Sequence, residues 1–393
     1  MHPPENLQAG DVVAVGTPPG ADWIPLIEDV WERGAAVLPL DGRLPERERS
    51  DLVRRARPTL ILDGDDWTRR PDGAPADGLG LVVHTSGTAG VPKLVGFDRK
   101  AIDAAVASSS FALGATNRDA WLCCLPLAHV GGLLVVLRAV LLDAPVVVHQ
   151  RFDAVAVANE TADFVSIVPT MLVRLLDTAT DLSSFRAMLV GGAALRGDVR
   201  ARAIEAGATI VETYGLTETC GGVVYEGRAL PGTEIRIANG GIELRGPTLM
   251  RGYRLDPVRT SAAFTEDRWL RPGDAGALQA DGTLRVFGRV DELINSGGEK
   301  VWPQEVEAAM VTHPGVRDVA VTGRPDATWG QRVVAFVVPE DRADRAPTLD
   351  ALRDHVSSSI ARFKAPHEVV LVDELPRTAS GKLRRDALTR SGE

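Results

Sequence analysis

Leu79-Gly80-Leu81-Val82-Val83-His84-Thr85-Ser86-Gly87-Thr88-Ala89-Gly90-Val91-Pro92-Lys93 is the stretch from which the fold can be read. Leu79–His84 is a short apolar run and predicts a buried strand. It leads into a loop of hydroxyls, glycines and one lysine. Small residues let backbone N–H groups approach phosphate oxygens, and Lys93 adds a compact positive charge. The G-x-x-x-x-G-K-[ST] spacing of a Walker loop is not met. An ordinary glycine-rich turn would use the same residue types, so this loop alone does not decide the function.

Outward from this loop, strands and helices alternate. Val12–Gly16 and Ala35–Leu40 are apolar, Trp23–Arg33 has helical spacing, Arg47–Arg57 suits a helix, and Thr59–Leu62 a short strand. This is βαβ logic and predicts a mainly parallel sheet. Asp63–Gly78 is rich in Pro, Gly and Asp and reads as a surface loop. The alternation continues to Met188–Gly192. After Gly221 short strands and turns such as Ala280-Asp281-Gly282-Thr283 predict a small β-rich subdomain. From Asp291 an α+β unit is expected, with helices near Gln304–Val311 and Leu349–Ile360 and strands near Val316–Thr322 and Arg332–Val338. The expectation is therefore α/β, with a large domain over residues 1–290 and a small one over 291–393.

Bulk properties narrow the function. The 393 residues suit two or three domains, and 45% apolar with 25% charged residues is ordinary for a globular chain. A net charge of −9 speaks against a nucleic-acid partner, whose binding needs clustered Lys and Arg. Three cysteines, Cys123, Cys124 and Cys220, cannot build a disulfide framework and fit a reduced, cytoplasmic location. The N-terminus shows no signal-peptide pattern. The apolar stretch Trp121–Val148 contains Pro126, His129, Arg138, Asp143 and Pro145, so it predicts buried core rather than membrane insertion. Only five lysines occur, Lys93, Lys100, Lys300, Lys364 and Lys382, and three of them sit in glycine-bearing loops.

Three further motifs carry chemistry. In Glu212-Thr213-Tyr214-Gly215-Leu216-Thr217-Glu218 an aromatic, hydroxyls and a carboxylate follow a strand-like run; they could stack a base and hold Mg²⁺. A strand end with a packed tyrosine is the alternative. Arg271-Pro272-Gly273-Asp274 with Gly288-Arg289-Val290-Asp291 could grip ribose hydroxyls, or be a structural salt bridge. Pro376-Arg377-Thr378-Ala379-Ser380-Gly381-Lys382 could deliver a lysine, or be a solvated tail.

In order and spacing these segments resemble the adenylate-forming superfamily of acyl-CoA ligases, nonribosomal adenylation domains and luciferases. The resemblance implies a large N-terminal domain, a small mobile C-terminal domain and an active site between them. It implies that Thr85, Ser86, Gly87, Thr88, Gly90 and Lys93 form the triphosphate loop. Gly191, Gly192 and Ala193 with Glu212, Thr213, Tyr214 and Gly215 would form the adenine and acyl-adenylate wall, Tyr214 lying against the base. Thr217 belongs to the same nucleotide segment, and Glu218 would be the Mg²⁺ ligand. Asp274 and Arg289 would contact ribose, and Lys382 would bridge carboxylate and α-phosphate during adenylation. Asp291 would be the hinge, and Gly297-Gly298-Glu299-Lys300 would face the pantetheine of coenzyme A.

The sequence departs from that pattern at Ala89, where Thr is usual, and at Leu94, where Gly is usual. About a hundred residues of the usual N-terminal region are absent, which would leave an edge or apolar face for a homodimer to cover. Leu125-Pro126-Leu127-Ala128-His129-Val130-Gly131-Gly132 has a histidine where amino-acid-activating members have an aspartate, which implies an acid without an α-amine. No carrier-protein motif follows Lys382, so free coenzyme A is the expected acceptor.

Tyr214–Gly227, Gly246–Leu249, Arg251–Arg254 and Trp302–Glu307 resemble short o-succinylbenzoate–CoA ligases of menaquinone biosynthesis. The expected cofactors and co-substrates are ATP, Mg²⁺ and coenzyme A, with a small carboxylic acid as substrate. A helix starting near Gly131 would put Gly131, Leu134, Val135 and Arg138 on one face. His129, Gly131, Gly215 and Arg138 are then the acid-facing candidates, Arg138 for the ring carboxylate. The alternative for Arg138 is a packed stem with its head in solvent. Rival functions are a ligase for another aryl or fatty acid, a stand-alone loader of a carrier protein, and a non-catalytic adenylate binder.

Overall fold

The computed structural model describes residues 3–85, 92–178, 181–340, 347–377 and 383–390, with side chains for all of these but 386, 389 and 390. The chain forms two compact units. One comprises Met1–Leu195, Val199–Ile235 and Glu243–Pro272; the other comprises Arg196–Asp198, Arg236–Ile242 and Gly273–Glu393.

Two seven-stranded sheets build the first unit. One runs in the order Gly252–Tyr253, Lys93–Phe97, Leu81–Thr85, Ala36–Pro39, Val12–Val15, Leu60–Asp63, Asp66–Arg69. Its central pairs are parallel, and Val12, Val13, Ala14 and Val15 are all buried. Such uninterrupted apolar runs are what a sheet covered on both faces requires. Helix Trp23–Glu32 buries Trp23, Leu26, Ile27, Val30 and Trp31, the single face its spacing predicts. The second sheet runs Arg228–Ala229, Gly221–Tyr225, Ile210–Leu216, Ala187–Val190, Phe164–Ile167, Trp121–Cys123, Val146–Val148. Its core gathers Leu122, Val165, Ile167, Leu172, Leu175 and Met188.

Trp121–Val148 forms a strand, the helix Val130–Leu142 and a second strand; it is mostly buried up to Arg138, as expected, and the strand Val146–Val148 is half-buried. Among the described residues no helix is long and apolar enough to cross a membrane. Asp63–Gly78 is not wholly a loop. Asp66–Arg69 is an edge strand antiparallel to Leu60–Asp63, joined by a tight turn in which Gly64 takes φ +62°. The two-residue Gly64-Asp65 turn is a hairpin signal that outweighed the loop-like composition.

The second unit holds a five-stranded sheet built on the long hairpin Val316–Asp326 and Gly330–Pro339, with Glu368–Leu371 added in parallel. Helices Pro303–Met310 and Leu349–Ser357 contribute Val306, Met310, Leu352 and Val356 to its core. The expected helix near Leu349–Ile360 ends at Ser357, and both strands run longer than expected.

Candidate active site

In the first unit, Thr85 ends one strand and Lys93 opens the next, paired directly across the ladder. The residues that flank the glycine-rich segment are therefore neighbouring strand ends. Ser86, Gly87, Thr88, Ala89 and Gly90 lie outside the described residues. Lys93 Nζ is 3.7 Å from Glu218 Oε1 and 5.4 Å above the Tyr253 ring. Tyr253 Oη donates to the same Glu218 oxygen at 2.8 Å. The fold thus unites the lysine of the first motif with the carboxylate of the second.

Local structure explains this meeting. Strand Ile210–Leu216 ends in a 3₁₀ turn, Thr217–Thr219, closed by Leu216 N–H donating to Thr219 Oγ1 at 2.9 Å. Met250 N–H donates to the Glu218 carbonyl at 2.8 Å, and Tyr253 pairs with Val95 two residues beyond Lys93. Burial, and then the Glu218 carboxylate, push the Tyr253 phenol well above its ordinary pKa, so it stays a donor. Sequence reasoning gave Tyr253 no role. Its only signal was the Arg251–Arg254 resemblance.

Glu218 suits a magnesium ion. Among the described residues both its side-chain contacts fall on Oε1, leaving Oε2 open, and no group of three His, Cys, Asp or Glu forms a cage. Mg²⁺ is characteristically held by one or two carboxylates together with substrate phosphates.

The adenine-wall candidates adjoin this turn. Gly191 follows Ala187–Val190, which runs parallel to Ile210–Leu216. A Cβ at Gly191 would collide with Thr213 Oγ1, and one at Gly215 with the Gly221 carbonyl. Both positions therefore require glycine for close approach. Gly192 and Ala193 are exposed, and Tyr214 and Thr217 are half-buried. Glu212 is engaged by Arg200 at 2.6 Å.

His129 caps the helix Val130–Leu142, which begins one residue earlier than expected; the His129 carbonyl accepts from Gly132 and Leu133 N–H. Gly131 is half-buried near Leu125, and a Cβ at Gly132 would strike the Leu125 and Pro126 carbonyls. The His129 side chain is 40% exposed. Asp41 and Arg43 flank it, and His84, the residue before Thr85, lies with its ring centroid 6.2 Å away. None of these three was predicted as a site residue.

Arg138 does not send its head into solvent. It is 2% exposed, with its guanidinium 3.8 Å above Trp121. Nη1 donates to the Leu134 carbonyl and Nη2 to Ser109 Oγ, both at 2.7 Å, while Nε is buried without a partner among the described residues. Burial lowers its pKa to about 10. The helical period groups Arg138 with Gly131, Leu134 and Val135, but Trp121 and Ser109, which make its surroundings interior, are remote in sequence. Arg254, the other buried cation among the described residues, is satisfied by the carbonyls of Ala56, Arg57, Ala74 and Pro75. Arg138 has one carbonyl, one hydroxyl and, among the described residues, no carboxylate within ion-pair reach. Arg138→Ala is expected to lower stability by about 2–4 kcal/mol, because it empties a packed site and removes the stack on Trp121. Urea unfolding checks this; an unchanged midpoint would mean the side chain is not packed as described.

In the second unit, Asp274 and Arg289 pair across a hairpin, with Nη1 3.2 Å from Oδ1. Asp291 lies 3.4 Å from Arg289 Nε. Burial presses the Arg289 pKa down, but the two carboxylates outweigh it and the net shift is upward. Ser296 and Glu299 pair across a two-residue turn in which Gly297 and Gly298 have φ +60° and +87°, a hairpin that demands glycine or asparagine. Lys300 is exposed. Lys382 lies outside the described residues. Just outside its loop, Arg377 bridges Leu383 and pairs with Asp318 at 2.7 Å, and Arg385 pairs with Glu307 and Glu292.

Comparison with known proteins follows the same two-part pattern. Residues 63–254 match the family described as AMP-binding enzyme, and residues 305–382 match the AMP-binding enzyme C-terminal domain. A Mycobacterium tuberculosis protein named "Probable 2-succinylbenzoate–CoA ligase" is 40% identical over 329 residues, covering 80% of this chain and 85% of that one. A Listeria monocytogenes 2-succinylbenzoate–CoA ligase is 34% identical over 402 residues, 92% of this chain and 85% of that one. The solved structure of Bacillus subtilis o-succinylbenzoate CoA synthetase (MenE) with the acyl-adenylate intermediate OSB-AMP superposes with a TM-score of 0.85 at 28% identity, covering 97% of this chain and 88% of that chain. The same synthetase with ATP and magnesium ion gives 0.84 at 28%, covering 97% and 90%.

Proposed function

The chain belongs to the AMP-binding enzyme family, among the relatives of the 2-succinylbenzoate–CoA ligases, and from that premise we propose that it is an ATP-dependent o-succinylbenzoate–CoA ligase working through an acyl-adenylate. The observation that carries the reading is the Lys93–Glu218–Tyr253 cluster at the foot of the glycine-rich loop.

The reaction has two halves. A carboxylate oxygen of the acid attacks the α-phosphorus of ATP, the bond from that phosphorus to the bridging oxygen breaks, and pyrophosphate leaves. The thiol of coenzyme A, losing its proton, then attacks the acyl carbon, and AMP leaves. Lys93 and the loop from Thr85 hold phosphoryl oxygens by charge and backbone N–H. Glu218 offers Oε2 to Mg²⁺, which supplies charge neutralisation on those oxygens when bound. Tyr253 fixes the Glu218 carboxylate. Asp274 and Arg289 are assigned to ribose, Tyr214 with Gly191, Gly192 and Ala193 to adenine, Lys382 to the adenylating half, and Gly297, Gly298 and Lys300 to the thioester half, with Asp291 as hinge. No side-chain nucleophile is needed. Cys123, Cys124 and Cys220 are buried, and burial pushes their thiols up, Cys124 and Cys220 to about 12.

The substrate assignment is supported by Arg138, an interior cation short of acceptors, for which the second carboxylate of o-succinylbenzoate is a fitting counter-ion. A reducing, cytoplasmic location and the absence of a nucleic-acid partner belong to the same reading; free buried cysteines and the negative charge support them. A homodimer has less support. The edge strand Asp66–Arg69 exposes Asp66, Thr68 and Arg69, and a polar edge protects itself.

AMP release with coenzyme A over a panel of carboxylic acids tests the proposal. The highest kcat/KM is expected for o-succinylbenzoate. Efficient turnover of a monocarboxylic aryl or fatty acid with none of o-succinylbenzoate would replace the substrate, and transfer only to a carrier protein would replace coenzyme A.

A further inference from the structure

Asp41-Gly42-Arg43 follows the strand Ala36–Pro39 and carries no catalytic motif. Yet its two charged side chains form a built device beside His129. Arg43 Nε donates to Asp41 Oδ1 at 2.8 Å and Nη2 to Oδ2 at 2.6 Å, while Arg43 backbone N–H donates to Oδ1 at 3.0 Å. Asp41 is only 7% exposed, and both its oxygens are spent on Arg43. The same Arg43 Nη2 lies 3.3 Å from His129 Nε2, whereas Asp41 Oδ2 is 3.8 Å from it.

A guanidinium has donors and no acceptor. At its contact with Arg43, therefore, His129 Nε2 offers a lone pair. The ring is then neutral and carries its proton on Nδ1. Among the described residues nothing hydrogen-bonds to that nitrogen, and the side chain is part-exposed at the start of helix Val130–Leu142. We infer that Asp41 and Arg43 are positioning residues that hold His129 as a neutral Nδ1–H donor, presented to an oxygen of the bound acid or its adenylate. That presentation rests on the proposed function; the protonation state itself does not.

Among the described residues the groups facing His129 are few. They are Asp41 and Arg43 from the loop and His84 from strand Leu81–Thr85; the first turn of the helix has no acidic residue. Burial lowers the His129 pKa, Asp41 raises it and Arg43 lowers it. His84 is 6% exposed, and burial followed by the His129 neighbour depresses it to about 4, so it is not a competing cation at neutral pH.

The two partners act on His129 with opposite sign, and this makes the test. In the full chain, the His129 ring is titrated by NMR in the wild type, Arg43→Met and Asp41→Asn. Removing the cation while leaving Asp41 should raise the His129 pKa by about one unit or more, and neutralising Asp41 should lower it. A fold defect would not move one residue in opposite directions. The pH profile of AMP release should follow: in Arg43→Met, kcat/KM should fall about tenfold between pH 8 and pH 6, beyond any fall in the wild type, as the ring, still a donor through Nδ1, becomes a cation that pairs with the attacking carboxylate and weakens it as a nucleophile. An unmoved His129 pKa in Arg43→Met, or shifts of one sign in both variants, would overturn the inference. Opposite shifts in a protein that releases no AMP with o-succinylbenzoate would uphold the positioning and reject the function on which its catalytic meaning rests.

Discussion

Lys382→Ala should lower the adenylating half-reaction about a hundred- to a thousandfold, the scale of losing one preorganised charge at a developing oxyanion. Pyrophosphate exchange reads that half alone. Thioester formation from supplied o-succinylbenzoyl-AMP should stay within about twofold of wild type, since the phosphoryl transfer has already occurred. Arginine supplies most of this chain's basic residues, so a lysine here is a selective choice; a compact ammonium can sit between two oxygens where a planar fork cannot. Arg377 on Asp318 and Arg385 on Glu307 and Glu292 anchor the described residues on either side of the loop, so alanine at 382 leaves those anchors intact. Asp291→Pro should give the mirror result. It fixes φ near −65° at the hinge candidate, so exchange should persist while thioester formation falls. Equal loss of both halves in Lys382→Ala would reject its assigned role.

Glu218→Gln should lower pyrophosphate exchange about a hundredfold or more and raise the Mg²⁺ concentration needed for half-maximal rate by about tenfold to a hundredfold. The amide keeps the volume and can still accept from Tyr253 Oη, so the fold is expected to survive. It loses the charge that Lys93, 3.7 Å away, and a metal ion both answer. The Mg²⁺ titration separates this role from a structural one, because a merely loosened turn would slow exchange at every Mg²⁺ concentration alike. Wild-type Mg²⁺ dependence in the variant would mean that Glu218 is not the ligand.

Local information determined a good deal of this protein. Apolar runs such as Val12–Val15 and the spacing of Trp23, Leu26, Ile27, Val30 and Trp31 specify buried strands and a one-faced helix, because side-chain direction repeats with backbone geometry. The glycines at 297 and 298 announce their hairpin, since only a residue without a Cβ enters positive φ freely. Lys93 and Glu218 were legible as residue types in loops after strands. What only the tertiary structure decided is which of them meet. Tyr253 reaches Glu218 because Gly252–Tyr253 adds to the edge of Lys93–Phe97. Arg43 reaches His129, and Arg138 stacks on Trp121, because separate sheet and helix elements pack side by side. Periodicity reports one element's own faces. It carries nothing about the strand order and register that set what each face is pressed against, and at this site those contacts set proton position, ion pairing and burial.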